Sequence, residues 1–273
     1  MLLRKQNIRD NGDWLEAFNR STDIYSLNDI KLLEAKTVDF IKSSTLPYKK
    51  ICSGWIAGKD SLVLDRVLQK SGIKYTPIMW QGINQYPAMQ KWIALNKPDN
   101  LIIETIDKFT LEFLNEHPDY LFCQNGTRQR WMAEKWKRYK SDLREHGFDL
   151  FVVGRRIKDG NICGRRDSGY IVSKDFNTFS PLAEWTHEHI LAYIKYEHIQ
   201  LPPLYVWKRG FLIGSVAMGE WTERPAMDLT VQQVWEELWQ IDKSIVISAA
   251  DKLQSAKEFL KGRYENENRD YQA

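Results

Sequence analysis

Lys59, Asp60 and Ser61 stand in a row after Gly58, behind a short apolar run at Ile51-Cys52 and ahead of apolar Leu62, Val63, Leu64, Val67 and Leu68. A glycine-containing loop, Ser53-Gly54-Trp55-Ile56-Ala57-Gly58, that delivers an ammonium, a carboxylate and a hydroxyl onto a helix N-terminus is suited to hold a phosphate. Backbone N–H groups converge there, the helix dipole adds positive potential, and glycine lets oxygens approach the main chain. The order of residues excludes a Walker A loop, which needs Ser or Thr directly after the lysine, where Asp60 stands. No G-x-G-x-x-G is present for a dinucleotide fold either. Further along, Arg155, Arg156, Arg165 and Arg166 crowd a glycine-bearing loop, and guanidiniums offer two-pronged contacts to phosphate or sulfate. A solvated basic loop is the plainer reading of these arginines.

The elements that must position these groups follow from periodicity. Residues 1–45 read as helical, with Leu32, Leu33, Val38 and Ile41 on a rough stripe. The helix after the 53–61 loop stops at Ser71-Gly72, a C-cap signal. Strands are expected at 75–80 and 101–105, with a helix at about 87–95 between them. A charged, aromatic-rich helix follows over 131–146, then a buried strand over 148–153, bounded by Gly154. After a long loop to about Thr178, a helix is expected over 181–196, with Thr186 as N-cap candidate. A last helical stretch runs through Val231, Val234, Leu238, Ile241 and Ile245, and the polar tail from Glu265 is expected to fray. Strands alternating with helices indicate an α/β domain with a largely parallel sheet. The expected organisation is an N-terminal helical segment at 1–45, a nucleotide-binding α/β domain at 46–225 and a C-terminal helical segment at 226–273.

Composition sets the class. The chain has 273 residues, 43% hydrophobic and 27% charged, the balance of a globular protein. Its longest uncharged run, Tyr75 to Gln90, has 16 residues interrupted by Pro77, Gly82 and Pro87, too short and broken to cross a bilayer. No apolar stretch follows Arg4-Lys5, so no secretory signal is expected. The three cysteines, Cys52, Cys123 and Cys163, form no C-x-x-C pair, which excludes a disulfide scaffold and argues for the cytoplasm. Net charge is only +3, yet residues 128–166 hold 12 basic and 5 acidic side chains, +7 against −4 for the rest. That stretch, interleaved with Trp131, Trp136 and Tyr139, fits a polyanion; a solvated helix face is the equal alternative.

Gly58-Lys59-Asp60-Ser61 resembles the second half of the Ser-Gly-Gly-x-Asp-Ser loop of the ATP pyrophosphatases, the adenine nucleotide alpha-hydrolase-like superfamily. The first half departs: a gapless match sets Ile56 and Ala57 against Ser and Gly, whereas using Ser53-Gly54 requires a three-residue insertion. Within the superfamily the chain is similar to the phosphoadenosine phosphosulfate reductase branch. Gly154-Arg155-Arg156 stands where that branch has Gly-x-Arg after a strand, and Gly164-Arg165-Arg166 loosely matches its arginine loop. Pro181-Leu182-Ala183-Glu184-Trp185-Thr186 and Leu201-Pro202-Pro203-Leu204-Tyr205 match two further blocks in the same order.

The resemblance implies a parallel twisted sheet flanked by helices, with helical N- and C-terminal additions. It also implies a Mg²⁺-dependent enzyme that uses ATP to adenylate an acceptor and releases pyrophosphate. Catalytic roles then fall to Lys59, Asp60, Ser61, Arg155 and Arg156, with Asp60 also orienting the loop or the metal. Nucleotide contacts fall to Ser53, Gly54, Gly58, Trp80, Gly154, Arg165 and Arg166. Trp80 has two readings, a cover for an adenine ring or, by preference, a core aromatic. The branch's reductases carry a C-terminal cysteine, and here nothing after Cys163 supplies one. A sulfonucleotide reduction would therefore need another thiol. Cys163 lies among arginines that would favour its thiolate, with a small loop residue as the plainer reading. His187 and His189, two apart on a helix, are expected on different faces and not as a metal pair. Expected partners are an adenine nucleotide, a nucleic-acid acceptor (tRNA or DNA) and, in a homodimer, a second copy, with no membrane. A nucleotide- or nucleic-acid-binding protein without turnover is the remaining alternative.

Overall fold

The computed structural model describes residues 10–173, 175–214 and 219–270, and side chains except those of 125–129, 131 and 266–270. In chain order the elements are α1 (Asn11–Ile24), α2 (Leu27–Thr45), β1 (Ile51–Gly54), α3 (Lys59–Ser71), β2 (Thr76–Gly82), α4 (Pro87–Asn96) and β3 (Ile102–Ile106). Then come α5 (Leu111–Glu116), α6 (Thr127–Glu145), β4 (Leu150–Val152), β5 (Ile171–Val172), β6 (Thr178–Phe179) and α7 (His187–Tyr196). The last are α8 (Gly210–Ile213), α9 (Val231–Ile241), α10 (Lys243–Ala249) and α11 (Gln254–Asp270).

The strands form one six-stranded sheet in the order β3-β2-β1-β4-β6-β5. β1 runs parallel to β2 and to β4, with Ser53 opposite Pro77 and Val152, and β4 is parallel to β6. β5 is antiparallel to its neighbour β6, closing the edge as a short hairpin within the arginine loop. The parallel arrangement at β1, β2 and β4 is the α/β architecture expected from the sequence. It places the exits of β1 and β4, Gly54 and Gly154, side by side.

The residues fall into two compact units. The first gathers Met1–Trp80, Trp92–Glu104 and Lys137–Ser215; the second gathers Gln81–Lys91, Thr105–Trp136 and Val216–Ala273. Residues 10–45, expected as a separate segment, pack inside the first unit, where α2 lies on α3 and α1 on α7. The reason is apolar spacing. Val63, Leu64, Val67 and Leu68 put a buried stripe on α3, and it meets Ile30 and Ile41 of α2, Leu150 and Val152 of β4, and Trp185, Ile190 and Tyr193 around α7. Full burial of each such side chain contributes about 1.5–3 kcal/mol.

Helix ends follow local chemistry. α2 starts with a reciprocal Ser26–Asp29 capping box, and α3 ends at Gly72, whose φ of +69° is the left-handed C-cap signalled by Ser71-Gly72. Thr186 does cap α7, so the helix begins at His187 and not at 181. The stretch through Val231 and Ile245 divides at Asp242, whose extended backbone ends α9 and whose side chain accepts from Ser244 N–H to start α10. Apolar spacing continued across this break, which is why periodicity alone did not reveal it. In the second unit Trp235 of α9 packs on Phe122 and Trp221, with ring centroids 4.8 and 5.8 Å away. Helical backbone continues through Asp270 where fraying was expected; residues 271–273 lie outside the described residues. Among the described residues no helix is long and apolar enough to cross a membrane.

Candidate functional site

The site is built where β1 and β4 leave the sheet beside the first turn of α3. Gly58 is the N-cap of α3, and its carbonyl accepts from the Ser61 hydroxyl at 2.9 Å and from Leu62 N–H. Ala57 holds a positive φ of +56° just before it, a strained backbone at the loop's tip. Gly154 suits the spot: a Cβ there would stand 3.0 Å from the carbonyl oxygen of Asp60, closer than nearly all real Cβ contacts. Its role in the structure is thus close approach of β4's exit to α3. Gly54 is similarly closed in, with the Phe151 ring 3.2 Å from where its Cβ would be. Ser53 is buried on β1 and its hydroxyl has no hydrogen-bond partner.

Lys59, Asp60 and Arg156 come together. The Lys59 ammonium bonds Asp60 Oδ2 at 2.6 Å and lies 5.2 Å from the Trp14 ring centroid. Asp60 Oδ1 stands 3.0 Å from Arg156 Nε, close as an ion pair though not aligned as a hydrogen bond. Arg156 is 0% exposed, reaches Asp159 at 3.0 Å, and donates from NH2 to His187 Nδ1 at 3.2 Å. Its other terminal nitrogen, NH1, is enclosed with no hydrogen-bond partner. Burial alone would push the Asp60 carboxyl up, but the charges of Lys59 and Arg156, the Lys59 hydrogen bond and His187 outweigh it. Asp60 is therefore held below the usual carboxylate range and stays ionised.

Tyr205, in the Leu-Pro-Pro-Leu-Tyr turn, accepts the Lys59 backbone N–H on its hydroxyl at 2.7 Å. Burial, and then the negative charge of Asp60, raises this phenol's pKa, so the hydroxyl remains neutral. One of the open donors of the α3 N-terminus is thus covered by a protein oxygen at the position suited to an anion.

Several expected site residues lie elsewhere. Trp80 is a core aromatic: it stacks on Tyr139 at 4.2 Å, meets Phe151 edge-on at 5.7 Å, and its Nε1 donates to Asp142 at 2.7 Å. Its ring is taken up by packing, which corrects the adenine-covering reading. Arg165 and Arg166 are outside the cluster, 86% and 80% exposed at their side chains, and paired with Asp167 and Glu184. Arg155 is half-buried, and burial lowers its pKa. Cys163 corrects a second expectation: burial pushes its thiol up despite Ser180, Arg155 and Arg156, so the arginines do not make it a ready thiolate.

The α6 charges are also largely committed. Lys140 and Arg144 bind Asp175, Arg138 pairs with Asp142, and Lys135 is buried against Glu223. The side chains of Arg128 and Trp131 lie outside the described residues. His187 and His189 have separate surroundings, His187 edge-on to Trp14 and His189 on Tyr25. The residues that sequence reading missed are Asp159, Tyr205 and the Arg156-binding role of His187. The Arg156–Asp159 spacing was a usable signal; the His187 contact, made across the fold, had none.

The class comes from comparison with known proteins. The phosphoadenosine phosphosulfate reductase domain model matches residues 57–212, more than half of the chain, and the chain belongs to that family of nucleotide enzymes. Among solved structures it is similar to a phosphoadenylyl-sulfate (PAPS) reductase from Candida auris in phosphate complex. That match has 18% identity over 66% of this chain and 91% of the other, with a TM-score of 0.47. It is also similar to the NMN synthetase of Francisella tularensis, at 16% identity over 87% and 93% of the two chains, with a TM-score of 0.42. A search of curated proteins found no match.

Proposed function

We propose that the chain is an ATP pyrophosphatase that adenylates an acceptor and releases pyrophosphate. The carrying observation is the contact of Lys59 and Arg156 with an ionised Asp60 at the N-terminus of α3. Such a reaction asks little covalent chemistry of the protein; positioning of the α-phosphorus and neutralisation of charge carry it. The N–H groups of the first turn of α3 and the Ser61 hydroxyl receive the pyrophosphate oxygens, with Tyr205 withdrawing from Lys59 N–H. Lys59, now held by Asp60, turns to the phosphate. Arg156 stays where it is: a wholly buried guanidinium bound to two carboxylates braces Asp60 and is not an exposed anion clamp.

Mg²⁺ fits this donor set. It is held typically by one or two carboxylates together with substrate phosphates and water; Asp60 is ionised and partly exposed, its Oδ1 enclosed against Arg156, so the oxygen open to the ion would be Oδ2, freed as Lys59 turns to the phosphate. Bound there with ATP, the ion would supply charge neutralisation at the phosphates.

Lys137, Lys158, Arg165 and Arg166 are exposed and suit a nucleic-acid acceptor, tRNA or DNA. The test is pyrophosphate and AMP release from MgATP with tRNA, DNA or neither. Release dependent on one nucleic acid supports the acceptor class; binding of ATP without release under any of these conditions rejects turnover of ATP. Sulfonucleotide reduction with another thiol is the second reading, favoured by the family; burial raises the pKa of both Cys52 and Cys163.

A further inference from the structure

The second unit buries a polar group that the phosphate loop does not use. Gln85 and Glu220 face each other through an isolated antiparallel bridge, and residues directly opposite in such a pair carry their side chains on one face. They are 7% and 2% exposed. The Glu220 carboxyl lies on the α-carbon of Gly82: a Cβ there would fall 1.6 Å from Glu220 Oε1. Lys135 Nζ is 3.5 Å from that oxygen and bonds Glu223.

Both polar atoms of the Gln85 amide, Glu220 Oε2 and the Thr222 hydroxyl are enclosed without a hydrogen-bond partner. A buried donor or acceptor left unmade is costly, and folds seldom leave such atoms without a use. Charge narrows that use. Glu220 and Glu223 stand against Lys135, so among the described residues the group shows no surplus positive charge and does not suit phosphate. Burial, then the Glu223 charge, raises the pKa of Glu220, which suits it to an uncharged partner.

We propose that Gln85 and Glu220 recognise a planar amino group with an acceptor beside it, the edge shared by cytosine and primary carboxamides. Gln85 Oε1 accepts one N–H of the amino group and Glu220 Oε2 accepts the other. Gln85 Nε2 donates to the neighbouring ring nitrogen or carbonyl, the match by which glutamine reads an adenine edge in nucleic acids. Entry requires the 220–222 side to part from the 82–85 turn. One backbone link across it is the Trp221 N–H to Asn84 carbonyl bond of 3.0 Å.

This inference does not rest on the phosphate reading of the 58–61 loop. The test is calorimetric titration of the full chain with cytidine, nicotinamide and uridine, the last presenting no amino group. Wild type, Gln85→Leu, Gln85→Glu and Asp60→Ala are compared, with circular dichroism to confirm folding. The expected result is binding of cytidine or nicotinamide to wild type and Asp60→Ala alike, weakened at least about tenfold in both Gln85 variants and for uridine, the loss of one or two hydrogen bonds. Cytidine alone assigns a nucleobase; nicotinamide alone assigns a carboxamide. Absence of binding by both amino ligands, equal binding of uridine, or affinity retained in folded Gln85 variants overturns the proposal.

Discussion

Arg156 Nε lies 3.0 Å from Asp60 Oδ1, so a wholly buried guanidinium ties the loop after β4 to the first turn of α3. The same side chain holds Asp159 and His187. The arginine of a Gly-x-Arg sequence here acts on the protein's own carboxylates.

Removing that cation leaves Asp60 and Asp159 without their shared partner. Arg156→Ala is expected to lower the free energy of unfolding by about 3–5 kcal/mol, as breaking a buried ion pair does. Arg156→Lys recovers part of the loss, since it keeps the charge and lacks the planar fork. Urea titration reads both, and a loss under about 1 kcal/mol for Arg156→Ala contradicts the brace.

Tyr205 covers the Lys59 N–H. Tyr205→Phe strips that donor of its acceptor and is expected to cost about 1–3 kcal/mol. Phosphate or sulfate in the buffer should restore much of it, because an anion satisfies the same N–H. Thermal melts with and without phosphate make the comparison; a deficit unchanged by the anion argues against an anion site at this turn.

His189 carries a pH dependence. Its Nδ1 accepts the Thr186 N–H while its own N–H donates to the Thr186 hydroxyl, a capping box with histidine in place of glutamate. Burial, and then the charge of Arg156, pushes its pKa down to about 4 from an ordinary value of 6.5. The unfolded chain therefore binds this proton more readily, and the stability His189 contributes is complete above about pH 6.5 and lost as pH falls toward 4. His189→Gln keeps a capping side chain without the titration, so its stability should fall less over that range. Parallel slopes for the two proteins would remove His189 as the cause.

How much was legible follows from particular residues. The run Gly58 to Ser61, the apolar stripe of α3 and the strand before Gly154 are local patterns, and each led to the right element. Thr186 reads as a cap, although apolar spacing carries the expected helix back to 181, since Leu182, Ala183 and Trp185 are apolar for a turn that packs into the core. The fate of the arginines was not legible. Arg156 is buried where Asp60 and His187, distant in sequence, meet it, whereas Arg165 pairs with its sequence neighbour Asp167 and stays exposed. Trp80 likewise took its place from Tyr139 and Asp142, far along the sequence.

The central claim is that the 58–61 loop turns over ATP through Asp60. The direct measurement is AMP and pyrophosphate formed from MgATP by wild type and by Asp60→Asn, which keeps the shape and removes the charge. The account predicts equimolar AMP and pyrophosphate from wild type and a rate at least about a hundredfold lower in the variant, the scale of losing one electrostatic element of a site. Equal rates in the two proteins, or products other than AMP and pyrophosphate, would contradict it.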